Sequence, residues 1–327
     1  MAIASNLRRT NVYKPALAWF AAFGTAWVFV LVILGAYTTS IGAGMVFADW
    51  PLSNGSLNPA GWMDDLAMFA EHSHRLSAGV MSTVTIVLAV WLWRTEQRAW
   101  LRKLAIFAVG LVLVQALVGG LRVLLDHQHV AMVDTSVGRL FAMLHACLAQ
   151  LFVCNLIAIT ISCLPAWFKG GPGLAHSVRR AGVICCALLF VQLGIAAVMR
   201  HSFAGLAIPT FPYSTAEGGL LPEAWNFRVA IHFAHRVMAV VLAVALIWFS
   251  YKVRLDQSAS IGMRVGASLL VGLIAIQIVL GAQIIWTQRS AATTTGHVAV
   301  GALTLAVTFW LTWVASRAQI ERKFGHD

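Results

Sequence analysis

Charge is scarce in this chain. Only 11% of its 327 residues are Asp, Glu, Lys or Arg, against 60% hydrophobic residues and a mean hydropathy of +0.80. That excludes an ordinary soluble domain, which would lack the polar residues to cover its surface. Cysteine is scarce too. Cys147, Cys154, Cys163, Cys185 and Cys186 all fall inside apolar runs and none in a long polar loop, so no disulfide framework is readable. Prolines avoid the centres of the apolar runs, unlike the broken helices of many transporters. No run alternates as a membrane barrel strand does.

What is present is apolar length. Eight runs, near 17–39, 70–93, 103–124, 139–163, 179–200, 229–251, 263–286 and 294–316, can each cross a hydrocarbon core about 30 Å thick. Backbone groups in lipid must be satisfied internally, so these runs predict an all-α integral membrane protein. The first run is too long for a signal-peptide core and reads as a retained helix. The +11 net charge is a matter of topology rather than of nucleic acid. Sixteen of the 23 basic residues, among them Arg94, Arg98, Lys169, Arg179 and Arg317, fall in the two tails and the even-numbered gaps. The positive-inside rule places those segments, and both termini, in the cytoplasm. The basic excess there meets anionic lipid.

The costliest residues are polar ones inside the runs. A charge at the bilayer centre costs roughly 2.5–3.5 kcal/mol on insertion scales. The second run nevertheless opens on Glu71-His72-Ser73-His74-Arg75, and on a helix Glu71, His74 and Arg75 share one face. The pattern returns as His232-Phe233-Ala234-His235-Arg236, displaced by 235 − 74 = 161 residues. Gly44 to Ser53, with Trp50 and Pro51, matches Gly205 to Ser214 at the same displacement. Gln115 and Gly119 recur as Gln277 and Gly281, at 277 − 115 = 162. His145 recurs as His297, at 297 − 145 = 152. The expected architecture is therefore eight transmembrane helices as two parallel-repeat four-helix bundles. The expected divisions are a tail at 1–16, a bundle at 17–168, a linker at 169–178, a second bundle at 179–316 and a tail at 317–327.

Each repeat thus supplies one histidine from each of two helices: His74 and His145, then His235 and His297. Two imidazoles facing across a bundle can hold a haem iron axially. The plainer alternative is polar contacts that glue helices together. His232 lies on the same face as His235 and reads as its neighbour rather than a second ligand. Arg75 and Arg236 are candidates to pair with haem propionates, or simply to snorkel. Glu71 in the first repeat becomes His232 in the second, so a carboxylate marks one half alone. That asymmetry suggests one reactive site and one redox site. His127 and His129 form an HxH pair that could bind Zn or Cu, but a lone HxH is a weak signal and a solvated loop is the better reading. His176, His201 and His326 lie at or beyond the ends of the runs.

Glu71-x-x-His74-Arg75, the Gly44 to Pro51 loop, His145, His235-Arg236 and His297 together resemble the haem A synthase family, over all eight runs. The resemblance implies oxidation of the C8 methyl of haem O to a formyl group, giving haem A for cytochrome oxidase. It implies substrate haem O at His74 and His145, an essential Glu71, and a haem b cofactor on His235 and His297. A bacterial-type inner (cell) membrane is implied. The candidate partners are haem O synthase, an electron donor and cytochrome oxidase assembly factors, and homo-oligomerisation stays open. Many members carry loop cysteine pairs; here those positions are Phe47 and Ser53, then Ile208 and Ser214. A loop thiol role is thereby excluded, while chemistry at iron is not. The alternative reading is a dihaem cytochrome b that only passes electrons.

Overall fold

The computed structural model describes residues 9–130, 135–171 and 173–324. Residues 1–8 and 325–327 of the expected tails, residues 131–134, and Pro172 of the expected linker lie outside them. The helices are α1 (Pro15–Ser40), α2 (Leu66–Thr95), α3 (Ala99–Leu124), α4 (Val137–Cys163), α5 (Pro165–Lys169), α6 (His176–His201), α7 (Phe227–Leu255), α8 (Ile261–Trp286) and α9 (Ala291–Phe324). A short antiparallel hairpin, β1 (His129–Val130) with β2 (Thr135–Ser136), leads into α4. All the helices except α5 are long and apolar enough to span a membrane, so the chain is a multi-pass integral membrane protein.

Capping explains several helix starts. Asp65, Ser136, Asn226 and Ser260 each accept a backbone N–H three residues on, and Pro15 occupies the first turn of α1. The Asp65 cap starts α2 at Leu66, so Glu71 sits beyond the first turn rather than at the helix mouth. Two of the expected divisions overlap helices. The tail assigned to 317–327 is helical to Phe324, because Arg317 and Glu321 are both tied to Trp167. The linker expected at 169–178 takes in the last residue of α5, Lys169, and the first turn of α6 from His176.

Helices α1 to α4 contact one another in a ring, α1–α2, α2–α3, α3–α4 and α4–α1, which leaves α2 and α4 on its diagonal. Helices α6 to α9 repeat the pattern, with α7 and α9 on the diagonal. The two groups meet through α1, α4, α6 and α9. One apolar cluster includes Leu17, Met81, Leu92, Leu101, Phe152 and Leu156; the other includes Leu246, Phe249, Val253, Leu270 and Leu311. Trp310 packs against both. Lipid tails are as apolar as these side chains, so close packing and interhelical hydrogen bonds hold the helices together more than any escape from water.

Polar struts join the two groups at each end. Away from the histidines, the Arg98 guanidinium donates to both carboxylate oxygens of Glu96, at 3.0 and 3.1 Å, and to the Ser162 carbonyl at 3.0 Å. Glu321 of α9 lies 3.9 Å from Arg98 and accepts the Trp167 indole N–H at 2.6 Å. At the histidine end, Arg200 of α6 donates to the Ala36 carbonyl (3.0 Å) and the Ser40 hydroxyl (2.9 Å) of α1.

Candidate functional site

The four singled-out histidines come from the diagonal helices: His74 from α2, His145 from α4, His235 from α7 and His297 from α9. Each pair therefore faces across its ring. The His235 and His297 ring centroids lie 6.4 Å apart. Two metal–imidazole bonds of about 2 Å each, with half of each ring added, span a gap of that order. His145 and His74 lie within electrostatic reach of each other.

The helices between the histidines are cut away with glycine. A Cβ at Gly35 of α1 would fall 2.8 Å from His74 Cε1, and one at Gly119 of α3 would fall 3.0 Å from His145 Cε1. At Gly281 of α8 the distance to His297 Cε1 would be 3.4 Å. The imidazoles thus lie against bare backbone, which holds their ring planes.

Glutamines orient the same rings. The Gln115 amide donates to the His145 carbonyl (2.8 Å), and the Gln115 carbonyl lies 3.2 Å from His145 Nδ1. A backbone acceptor on Nδ1–H leaves the Nε2 lone pair for a metal, the usual arrangement around a ligating histidine. In the second ring Gln192 of α6 donates to the His235 carbonyl at 3.0 Å and its side-chain amide lies 3.0 Å from His235 Nδ1, while Gln277 lies 3.2 Å from His297 Nε2. Among the described residues, His74 Nδ1 and His297 Nδ1 are buried without a protein partner, as are the side-chain oxygens of Gln115, Gln192 and Gln277. Rotating the Gln277 amide would bring its oxygen onto the imidazole N–H, the partner a ligating histidine needs. Paired imidazoles, orphaned ring nitrogens and glycine cradles fit a haem in each ring.

Glu71 and the two arginines do more local work than their positions in the sequence suggest. The Glu71 carboxylate is 4% exposed. It accepts the backbone N–H groups of Val46 (2.7 Å) and Phe47 (3.3 Å) and an Arg75 N–H (2.5 Å). Arg75 in turn donates to the carbonyls of Phe47 (3.2 Å), Asp49 (2.8 Å) and Leu52 (2.5 Å). In the second half His232 Nδ1 accepts the Ile208 N–H at 3.2 Å, and Arg236 donates to the carbonyls of Ile208 (3.0 Å), Thr210 (2.6 Å) and Tyr213 (3.2 Å). The acceptors correspond one to one: 47 + 161 = 208, 49 + 161 = 210 and 52 + 161 = 213. Both loops carry a cis proline, Pro51 and Pro212.

Two expectations change accordingly. Glu71 and His232 do the same scaffold job, so the absence of an acid at position 232 does not free Glu71 from a structural role. Arg75 and Arg236 are spent on loop carbonyls, and a propionate would have to displace those bonds.

The first loop is tightened further by Asp49, whose carboxylate accepts the N–H groups of Asn54 (2.8 Å) and Gly55 (2.7 Å). The Gly55 hydrogen bond, helped by Asn54 and the Arg75 charge, holds the Asp49 carboxyl below its ordinary pKa. His72 is buried between the Ser53 hydroxyl (3.0 Å) and the Leu57 carbonyl (3.2 Å), with Trp62 edge-on at 4.7 Å, so it braces this loop. Among the described residues no group of three or more His, Cys, Asp or Glu side chains converges as a metal site; His129 opens β1 and His127 lies in the turn before it. The described cysteines are all free thiols.

Sequence reasoning missed Arg122, Arg200 and Gly35. The arginines looked like basic residues at run ends, and nothing in the sequence distinguishes Gly35 from a packing glycine.

A family model described as cytochrome oxidase assembly protein matches residues 18–309. A protein of Bacillus licheniformis named heme A synthase is 29% identical over 224 residues, covering 66% of this chain and 68% of the relative. A Listeria monocytogenes protein of the same name is 25% identical over 298 residues, 90% of this chain and 93% of the relative. One from Geobacillus kaustophilus is 27% identical over 241 residues, 72% and 71%. With a match that runs from α1 into α9, the chain belongs to the cytochrome oxidase assembly protein family.

Proposed function

We propose that the chain is a haem A synthase, a membrane oxidoreductase that converts the C8 methyl of haem O to a formyl group. His74 and His145 hold the substrate haem; His235 and His297 hold a haem b cofactor. The observation that carries this reading is the paired imidazoles on diagonal helices, one pair in each ring. Membership of the family and the relatives' name support it. The second haem, when bound, supplies electron transfer.

The protein's own part is placement. His74 and His145 fix the plane of the substrate, and the glycines at 35 and 119 hold those imidazoles in one rotation. Glu71 lies one turn before His74 and presents a carboxylate at the loop-facing rim of that site, where it can accept a proton or stabilise developing positive charge. The Gly44 to Ser53 loop, stapled by Arg75, closes the site on that side.

Haem extraction and chromatography on the purified protein test the reading. Haem O or haem A recovered beside haem b, and lost in His74→Ala, is the expected result. Haem b alone, at two per chain, would replace the synthase with a dihaem electron carrier.

A further inference from the structure

We infer that Arg122 holds a carboxylate of the haem that His74 and His145 ligate. The inference rests on the proposed substrate site and adds to it the residue that sets which edge of the haem faces Glu71.

Arg122 lies in the last turn of α3, one turn beyond Gly119 and its contact with His145. Its guanidinium covers the backbone of Gly44, where a Cβ would fall 2.5 Å from Nη2. It lies within electrostatic reach of both His74 and His145. Among the described residues it makes no hydrogen bond and no ion pair within 4.0 Å. The acids nearest in field are Glu71 and Asp126, and both are engaged. Glu71 is bound to the loop N–H groups and Arg75, and Asp126 accepts the Ser136 hydroxyl at 2.5 Å.

A guanidinium near the edge of a membrane has an ordinary explanation in the α3 dipole and in snorkelling. Neither explains why it covers a residue that has no side chain, within reach of the two histidines. Nor does the fold require it, since the repeat puts Ile284 at this position (122 + 162 = 284). Haem carries two carboxylates, and a planar guanidinium binds a carboxylate through two parallel N–H bonds. Arg75 is committed to the Phe47, Asp49 and Leu52 carbonyls and Arg139 lies over the Phe203 ring, whereas the Arg122 guanidinium beside Gly44 has no such commitment among the described residues.

The test pairs residue with ligand group. Haem O and its dimethyl ester are titrated into the full chain, with binding at the His74/His145 site followed by the haem absorbance. The wild type should bind the acid about tenfold or more tighter than the ester, as a charge-assisted pair implies. Arg122→Gln should bind both alike, and Arg122→Lys should keep part of the preference.

Equal affinity of wild type for acid and ester overturns the inference, whether or not any variant folds. So does an undiminished preference in Arg122→Gln. An Arg122→Gln protein that loses acid and ester in equal proportion has lost structure rather than a carboxylate partner, which also overturns it. His74→Ala separates the two levels. If that variant binds haem O normally, the substrate site itself is wrong, whereas a normal Arg122→Gln preference beside a failed His74→Ala removes only Arg122.

Discussion

At the residue scale the decisive group is Glu71. Its carboxylate makes three hydrogen bonds, each worth roughly 1.5–3 kcal/mol when one partner is charged. The second half makes the same loop contact with an imidazole, His232, which offers a direct test. Glu71→His installs that alternative clasp and removes the anion. If the carboxylate serves the oxidation, Glu71→His and Glu71→Gln both retain haem at His235 and His297 but form haem A at least roughly a hundredfold more slowly. A single-turnover assay with haem O measures this. Normal turnover in Glu71→His would reduce Glu71 to a loop clasp. The carboxylate and its spacing from His74 were legible in the chain. Its partners were not, because Val46 and Phe47 are 25 and 24 residues away and offer only backbone N–H groups, which every residue except proline has.

At the scale of the element, the helices that carry no histidine are as particular as those that do. Gly35 leaves no room between α1 and His74; Gly281 leaves slightly more beside His297. A methyl at Gly35 would have to move the imidazole, and overpacking of this kind costs roughly 1–3 kcal/mol. Gly35→Ala should therefore lower haem occupancy at the first site and leave the second unchanged, while Gly281→Ala should have a smaller effect on the second. Absorbance and extracted haem in the two variants read this out, and equal small losses would mean that the glycines serve only helix packing. Helix lengths were readable from apolar runs to within a few residues. The exceptions, the Asp65 start of α2 and the extension of α9 to Phe324, follow from a capping carboxylate and from Trp167, which comes from a distant part of the chain.

For the whole molecule, topology is the outstanding expectation. A reporter fused after Lys169 should report the cytoplasm, and one within Gly205–Ser214 the opposite side. Reversal at either site would invert the charge-based assignment and with it the side from which haem and electrons arrive. The two ring-like groups are joined by polar struts at both ends, so the two histidine pairs are held at a set place relative to each other.

The chain by itself determined the membrane class, the eight spans, the histidine pairs and the Glu71 asymmetry, because apolar length, costly polar residues and a constant displacement are properties of order along a polymer. Only the tertiary structure decided what each charge touches. Arg75 and Arg122 look alike in sequence, each basic residue within a few positions of polar or small neighbours. One is spent on three loop carbonyls and the other covers Gly44 within electrostatic reach of two imidazoles. That difference comes from how α2 and α3 rotate against a loop packed between them, which no local pattern encodes.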